Sequence, residues 1–167
     1  IVTNGSELKK AIIEASFYSK EELDKLFEEF KGDRLELVVH IAAYYGLRRS
    51  EVLGLNWDSI DFENKTLTIR RKVTSQNLKG TGETIRIDSE LKTASSVRTF
   101  PLIPHIEKML RDKKYQEEYY SNLIGDSFDK TYDGFVCRDN MGKLITPAYV
   151  TTHFKLMVDS NGLKHIS

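Results

Sequence analysis

The first half of the chain repeats apolar residues at helical spacing. A capping box at residues 19–22, followed by such a stripe, predicts a helix that Gly32 ends. The segment 34–45 is apolar nearly all round, which predicts a buried central helix closed by Gly46. A short third helix is predicted over residues 50–55. The apolar stripe of the first helix consists of Leu23, Leu26, Phe27 and Phe30.

In the middle of the chain the pattern changes from helical spacing to alternation. Residues 66–70, 84–87 and 97–100 alternate between apolar and polar positions and predict three strands. The polar stretch 74–82 contains glycines and predicts a loop, and residues 91–96 form a turn-rich connector. The pattern therefore predicts a small antiparallel sheet of about three strands.

The last third of the chain returns to helices. Pro104 is suited to the first position of a helix, and Thr146-Pro147 opens a last one. Residues 135–137 predict a short extended piece between them. The fold class predicted for the chain is α+β, mostly α, with buried helices and a small three-stranded antiparallel sheet. Residues 1–16 lack periodicity and are predicted to be a linker or lead-in to a domain over residues 17–167.

Composition narrows the class of protein. The chain has 167 residues, 40% hydrophobic and 30% charged, which suits one soluble globular domain. It has neither an apolar run of about 20 residues nor a signal-peptide pattern, so no membrane association and an intracellular location are expected. The single cysteine, Cys137, excludes an internal disulfide and a cysteine-rich zinc site. The four histidines lack metal-ligand spacing, so no metal is predicted.

The charges are unevenly distributed, although the formal net charge is zero. Residues 1–64 carry eight Lys or Arg against thirteen Asp or Glu, a net charge of −5. Residues 65–98 carry eight against three, a net charge of +5, and the remainder balances at nine against nine. The basic segment 65–98 could form a surface that contacts a polyanion. The alternative is that its charges lie on a hairpin face that is only solvated.

Two arginines between the second and third predicted helices are the first candidates for chemistry. Arg48 and Arg49 lie in a turn, and a guanidinium offers a planar fork of donors that suits a phosphate. Glu51 follows closely and could orient an arginine. The alternative is an ordinary helix-cap arginine paired with Glu51 at the surface.

The predicted sheet carries the other candidates. Lys92 lies in the connector between two strands, where a lysine can donate a proton or simply be solvated. Arg70 and Lys72 are predicted to share one strand face, because side chains alternate. Phosphate contacts by such residues would orient a nucleic acid without reading its sequence. The full basic series is Arg70, Arg71, Lys72, Lys79, Lys92 and Arg98.

Three segments together resemble the tyrosine recombinases, specifically integrases of Gram-positive phages and conjugative transposons. Residues 44–55, YYGLRRSEVLGL, resemble the first-arginine box of that family. Residues 91–102, LKTASSVRTFPL, resemble its β-hairpin lysine box. Residues 142–150, GKLITPAYV, resemble the stretch before its later catalytic helices. The order and spacing agree, and the resemblance extends from about Tyr18 to Ser167.

The resemblance implies a role for each candidate. Arg48 would be the first catalytic arginine, which binds the scissile phosphate, and Lys92 would protonate the leaving 5′-hydroxyl. Glu51 would support the site. Members use no metal and no cofactor, because a tyrosine forms a 3′-phosphotyrosyl link. The residues that would contact DNA are Arg49, Arg70, Lys72, Lys79 and Arg98.

The resemblance also implies partners and a location. The full-length protein would act on double-stranded DNA attachment sites as a homotetramer, and the fragment alone would be monomeric. Its place would be the cytoplasm of a bacterial cell or a phage-infected host. The integration or excision of DNA would be its function, as expected of a phage or mobile-element recombinase.

The sequence departs from the family pattern in two respects. Ser59 occupies the usual aspartate position after Trp57, which is expected to be a tolerated structural change. The family's His-x-x-Arg box and nucleophilic tyrosine would follow Ser167, so the chain is expected to be the front part of the catalytic domain and inactive by itself. His165 would belong to the lead-in to that box. A non-catalytic DNA-binding or regulatory relative, or a type IB topoisomerase, are the alternatives.

Overall fold

Five helices and five strands make up the part of the chain that the structure, a computed structural model, describes: residues 17–78, 82–88 and 97–166. The helices are α1 (Lys20–Glu29), α2 (Glu36–Tyr45), α3 (Arg49–Leu53), α4 (Pro104–Ile124) and α5 (Pro147–Ser160). The strands are β1 (Ile60–Asp61), β2 (Thr66–Ile69), β3 (Lys72–Leu78), β4 (Gly82–Asp88) and β5 (Arg98–Pro101). Short 3₁₀ helices cover Trp57–Ser59 and Gly125–Ser127. This mixture confirms the predicted fold class.

Some sequence predictions lie outside the described residues. These are the predicted lead-in 1–16, the basic residue Lys79, and the predicted connector 91–96 with Lys92. Within the described ranges, no helix combines the length and the apolar character needed to cross a bilayer.

Local signals set the ends of the first two helices. The Ser19 hydroxyl accepts the Glu22 N–H at 3.2 Å, and the Glu22 carboxylate accepts the Ser19 N–H at 2.7 Å, which confirms the capping box. Helix α2 ends at Gly46, whose φ of 62° is left-handed, as its sequence predicts. The start of α1 and the end of α2 can be predicted from sequence because each depends on contacts between residues that are only a few positions apart.

The strands form two separate antiparallel units. One is a three-stranded sheet with the order β1-β2-β5, and the other is the hairpin of β3 and β4. In the sheet Leu67 is paired with Ile60 on one side and with Phe100 on the other. The predicted strand at 84–87 therefore belongs to the hairpin, and the two residues of β1 complete the sheet.

The prediction of a loop over residues 74–82 is wrong for most of its length. Strand β3 runs to Leu78 and pairs with β4 in register, with Val73 opposite Ile87. Of the β3 side chains that the structure describes, only that of Val73 is buried. A strand with polar residues on both faces shows no apolar alternation, so its pairing with β4 decides its conformation.

The core surrounds α2, which is the buried central helix that the sequence predicts. Val38, Val39 and Ile41 of this helix are buried against the other helices and the sheet. Gly54, after α3, touches the start of the hairpin so closely that a Cβ atom there would lie 2.3 Å from the Arg71 carbonyl oxygen. The base of the hairpin is therefore held directly against the end of α3.

The segment after α3 shows how the serine departure is accommodated. Ser59 is buried, and its hydroxyl donates to Asp58 at 3.3 Å. Both carboxylate oxygens of Asp58 accept from the Arg71 guanidinium, at 2.6 and 2.7 Å. These hydrogen bonds from Arg71 lower the pKa of Asp58 below its usual value. Arg71 therefore anchors the base of the hairpin to the segment that contains Asp58.

We expect the stability of the domain to fall between about pH 7 and pH 5 through His40. The His40 ring is buried, and its Nδ1 lies 2.9 Å from Nε2 of His105 on α4. Burial, with the nearby His105, lowers the pKa of His40, although Glu36 opposes the shift. The unfolded chain therefore binds a proton at this residue more readily, and stability present above about pH 6.5 is lost as the pH falls.

Urea unfolding at pH 7 and pH 5 measures this dependence. The variant H40F keeps an aromatic ring stacked on Phe27, whose ring centroid lies 4.0 Å from that of His40, and should show a smaller loss between the two pH values. H165Q, which alters an exposed histidine, should keep the loss of the unmodified chain. An equal loss in H40F and the unmodified chain would contradict the assignment.

Candidate functional site

The turn between α2 and α3 presents two arginines at the surface. Leu47 is buried and fixes the turn to the core, whereas Arg48 and Arg49 are exposed. The backbone of Arg48 is extended, with φ −70° and ψ 150°, and Arg48 is the N-cap residue of α3. Helix α3 packs on α2, so both arginines are attached to an element that contacts the central helix.

Glu51 is the residue that fixes this turn. It is 3% exposed, and its Oε2 accepts the backbone N–H of Arg48 at 2.9 Å. Its Oε1 accepts from Nη2 of Arg98, on β5, at 2.6 Å. Glu51 thus holds the main chain of Arg48 and the guanidinium of Arg98, and it joins the start of α3 to the sheet. Sequence reasoning placed Glu51 beside an arginine but did not indicate that Arg98 is its ion-pair partner.

Arg49 turns toward α5. Its Nη1 donates to the Pro147 carbonyl oxygen at 3.1 Å and to the Thr151 hydroxyl, which itself donates to the Pro147 carbonyl at 3.1 Å. These hydrogen bonds use Nη1 of Arg49, so the predicted contact with DNA would have to use the other N–H donors of its guanidinium. The observed contacts tie the start of α3 to the first turn of α5.

A cavity of about 780 Å³ opens beside the two arginines. The start of α3 forms one wall and α5 forms another, with Thr74 of β3 contributing from the hairpin. Apolar side chains of α5 line part of the cavity, and His165 also reaches it. Its remaining cationic and hydroxyl-bearing lining residues are Arg48, Arg49, Ser50, Thr151 and Lys155. Such a wall of cations and hydroxyl donors is suited to a phosphate group.

Thr151 and Lys155 are site residues that sequence reasoning missed. Their spacing of four residues places them on one face of α5, which the sequence does indicate once the helix is predicted. No local signal, however, places that face opposite Arg48, because the two segments are about a hundred residues apart in the chain.

The basic residues at the base of the hairpin are placed differently from the prediction. Arg70 and Lys72 do not lie on one strand, because β2 ends at Ile69 and β3 begins at Lys72. Arg70 is exposed and Lys72 is partly buried. The contact of Arg71 with Gly54 and Asp58 draws the chain out of the sheet at this point. Contact of Arg70, Lys72 and Arg98 with DNA remains a prediction.

The buried cysteine lies outside the cavity. Burial raises the pKa of the Cys137 thiol to about 12, so the thiolate that a nucleophile needs is scarce at neutral pH. Its Sγ donates to the Val52 carbonyl at 3.5 Å, as expected for a packed side chain. Across the described parts of the chain, no three His, Cys, Asp or Glu side chains come together in a group that could hold a metal ion.

Solved structures with the same fold include a transposon integrase and two recombinases. The Tn1549 transposon integrase in complex with transposon right end DNA aligns with a TM-score of 0.69 at 20% identity, over 90% of this chain and 46% of that one. The XerA recombinase aligns with a TM-score of 0.58 at 16% identity, over 90% and 45%. XerH site-specific recombinase bound to its difH substrate aligns with a TM-score of 0.55 at 20% identity, over 91% and 38%.

The sequence comparisons establish the family. The profile of the phage integrase family matches residues 16–119, more than half of the chain, and the chain belongs to this family. A tyrosine recombinase XerC-like protein of Caldanaerobacter subterraneus subsp. tengcongensis is 30% identical over 169 residues, which cover 99% of this chain. The chain spans 43% of the length of that relative.

Proposed function

We propose that the protein containing this chain performs site-specific recombination of double-stranded DNA, cutting and rejoining strands through a 3′-phosphotyrosyl intermediate. The observation that carries the proposal is the placement of Arg48. Arg48 lines a cavity together with other cationic and hydroxyl-bearing residues, and Glu51 holds its backbone in place. Cationic donors on a backbone held in this way can stabilise the charge that develops on a phosphate during strand transfer.

The residues take the following roles in the proposal. Arg48 binds the scissile phosphate and Lys92 protonates the leaving 5′-hydroxyl as a general acid. Glu51 supports Arg48 without touching DNA, while the basic side chains Arg49, Arg70, Lys72, Lys79 and Arg98 contact the DNA backbone. The reaction conserves the phosphodiester bond energy in the tyrosyl link, so it requires no nucleotide cofactor.

The domain and its partners form a second part of the proposal. Residues 17–167 make up the first part of an integrase catalytic domain, and residues 1–16 lead into it. The Tn1549 integrase and XerH were solved with DNA, which supports DNA as the partner. We infer a homotetramer on attachment-site DNA for the full-length protein, in the cytoplasm of a bacterium or of a phage-infected host.

DNA binding without cleavage is a second candidate function for the chain itself. Among the described residues, no tyrosine lines the cavity beside Arg48. A relative that binds DNA to regulate another recombinase would need the basic surface and not the nucleophile. A covalent protein–DNA adduct, measured with the full-length protein on a denaturing gel, separates the two functions, because only a strand-cleaving enzyme forms it.

We expect this chain to bind duplex DNA with an affinity that falls steeply with salt. Phosphate contacts release counterions, so the logarithm of the affinity should fall linearly with the logarithm of the salt concentration. R70Q removes an exposed cation and should reduce that slope by about one. Fluorescence anisotropy of a labelled duplex at salt concentrations from about 50 to about 200 mM, a range over which the affinity should fall strongly, measures the slope.

The matched control is K31Q, which removes an exposed cation from the segment after α1. This residue is remote in sequence from the basic middle, and its removal should leave the slope near that of the unmodified chain. Binding that does not respond to salt would contradict the proposal that the basic middle contacts phosphates.

A further inference from the structure

The β3–β4 hairpin is attached to α5 through one carboxylate. Glu83, the second residue of β4, accepts the backbone N–H of Ala148 at its Oε1, at 3.1 Å. Ala148 lies in the first turn of α5, where N–H groups have no partner inside the helix. The hairpin therefore supplies a cap to a helix that lies 65 residues further along the chain.

The surroundings keep Glu83 charged. Partial burial raises its pKa, but hydrogen bonds from the Ser75 and Thr146 side chains and from the Ala148 N–H outweigh this effect, and Arg49 adds electrostatic attraction. The pKa of Glu83 is therefore below its usual value. A negative charge on the first turn of a helix also stabilises the helix dipole.

Arg49 contacts the same turn of α5. Its guanidinium donates to the Pro147 carbonyl and to Thr151, and Pro147 is adjacent to the residue that Glu83 caps. Arg49 is also adjacent in sequence to Arg48. One turn of α5 thus connects a hairpin carboxylate with the segment that carries Arg48.

We propose that Glu83 is a positioning residue of the candidate site: it clamps the hairpin to the first turn of α5, and through Arg49 it fixes the start of α3 that presents Arg48. This inference rests on the proposed function, in which Arg48 contacts a DNA phosphate. Glu83 acts through its neighbours, and its negative charge repels DNA.

Because of that repulsion, the direction in which E83A changes the DNA affinity distinguishes a positioning role of Glu83 from a simple charge effect. If charge alone mattered, E83A would bind duplex DNA more tightly, because a negative charge is removed from a surface that meets phosphates. If Glu83 positions the arginines, E83A should bind about three- to tenfold more weakly, the range expected when one hydrogen-bonded anchor is lost. E83Q keeps an oxygen that can accept the Ala148 N–H, so it should bind at least as tightly as the unmodified chain.

Asp88 provides the matched control in the same strand. Its carboxylate pairs with Arg86 at 2.9 Å, and no contact of the described chain links it to α5. D88A removes the same charge from β4 and should not weaken binding. E83A that binds as tightly as, or more tightly than, the unmodified chain would overturn the proposal, and so would equal weakening in E83A and D88A.

Amide hydrogen exchange gives a readout that does not depend on DNA. Exchange of the Ala148 amide should be about threefold or more faster in E83A, while the Val150 amide, which donates to the Thr146 carbonyl at 3.0 Å, serves as the reference. Faster exchange at Ala148 with unchanged DNA affinity would overturn the positioning role. If the unmodified chain binds no duplex, or the full-length R48A protein cleaves DNA as fast as the unmodified protein, the proposed function fails and the positioning role with it. Exchange at Ala148 then shows separately whether the clamp itself exists.

Discussion

Replacing Arg48 by alanine should lower DNA strand cleavage by the full-length protein by about a thousandfold or more and leave the domain folded. The side chain of Arg48 is exposed, and its backbone N–H is the group that Glu51 binds, so the substitution removes phosphate donors without removing a core contact. Loss of a preorganised donor raises the free energy of the transition state more than that of the bound ground state. The rate of covalent protein–DNA adduct formation measures the effect, and circular dichroism checks the fold.

Two further variants show whether the geometry of Arg48 matters beyond its charge. R48K keeps the charge but loses the planar fork, and we expect cleavage between that of R48A and the unmodified protein. R111A removes an exposed arginine that pairs with Glu107 on α4, and cleavage should stay near normal. Cleavage by R48A within about tenfold of the unmodified protein would refute the role of Arg48 as a phosphate-binding catalytic residue.

Replacing Glu51 by alanine should lower the free energy of unfolding by about 2–3 kcal/mol. The Glu51 side chain is 4% exposed, and its loss leaves the Arg48 N–H without its acceptor and the Arg98 guanidinium without its ion-pair partner. The Arg98 side chain is 42% exposed, so water compensates for part of that loss. Urea unfolding measures the difference.

The comparison of E51A with E51Q separates the two bonds. Glutamine keeps an oxygen for the Arg48 N–H but has no charge for Arg98, so E51Q should be destabilised by about half as much. D88A breaks an exposed pair on β4 and should change stability by less than about 1 kcal/mol. Equal stability of E51A and D88A would show that Glu51 is an ordinary surface acid, contrary to its burial. We also expect E51A to slow cleavage, because the N-cap of α3 that carries Arg48 is released.

The helices of this domain are largely determined by local sequence, and the hairpin is not. Ser19 and Glu22 cap α1, and Gly46 ends α2, because these groups find partners within one turn of the helix. Strand β3 has no comparable local signal, since its polar residues would equally suit a loop. Its conformation depends on pairing with β4 and on the contact between Gly54 and Arg71.

The candidate site divides in the same way. The sequence indicated Arg48 and Arg49 because a guanidinium suits a phosphate, and Glu51 because it follows closely and could orient an arginine. It could not select Thr151 or Lys155 of α5, because only the packing of α5 against α3 brings them to the same cavity. Their own segment contains no charge pattern that distinguishes a site from a solvated helix face.

By itself, the sequence determined the start of α1 and the end of α2, the apolar stripes that build the core around α2, and the family to which the motifs belong. Tertiary structure alone decided that Glu51 binds Arg98, that Arg49 turns to α5, and that Glu83 caps a helix 65 residues away. The physical reason is range. Caps and periodicity act over a few residues, whereas an ion pair or a cap between distant segments forms only after the core has packed and brought their atoms within about 3 Å of each other.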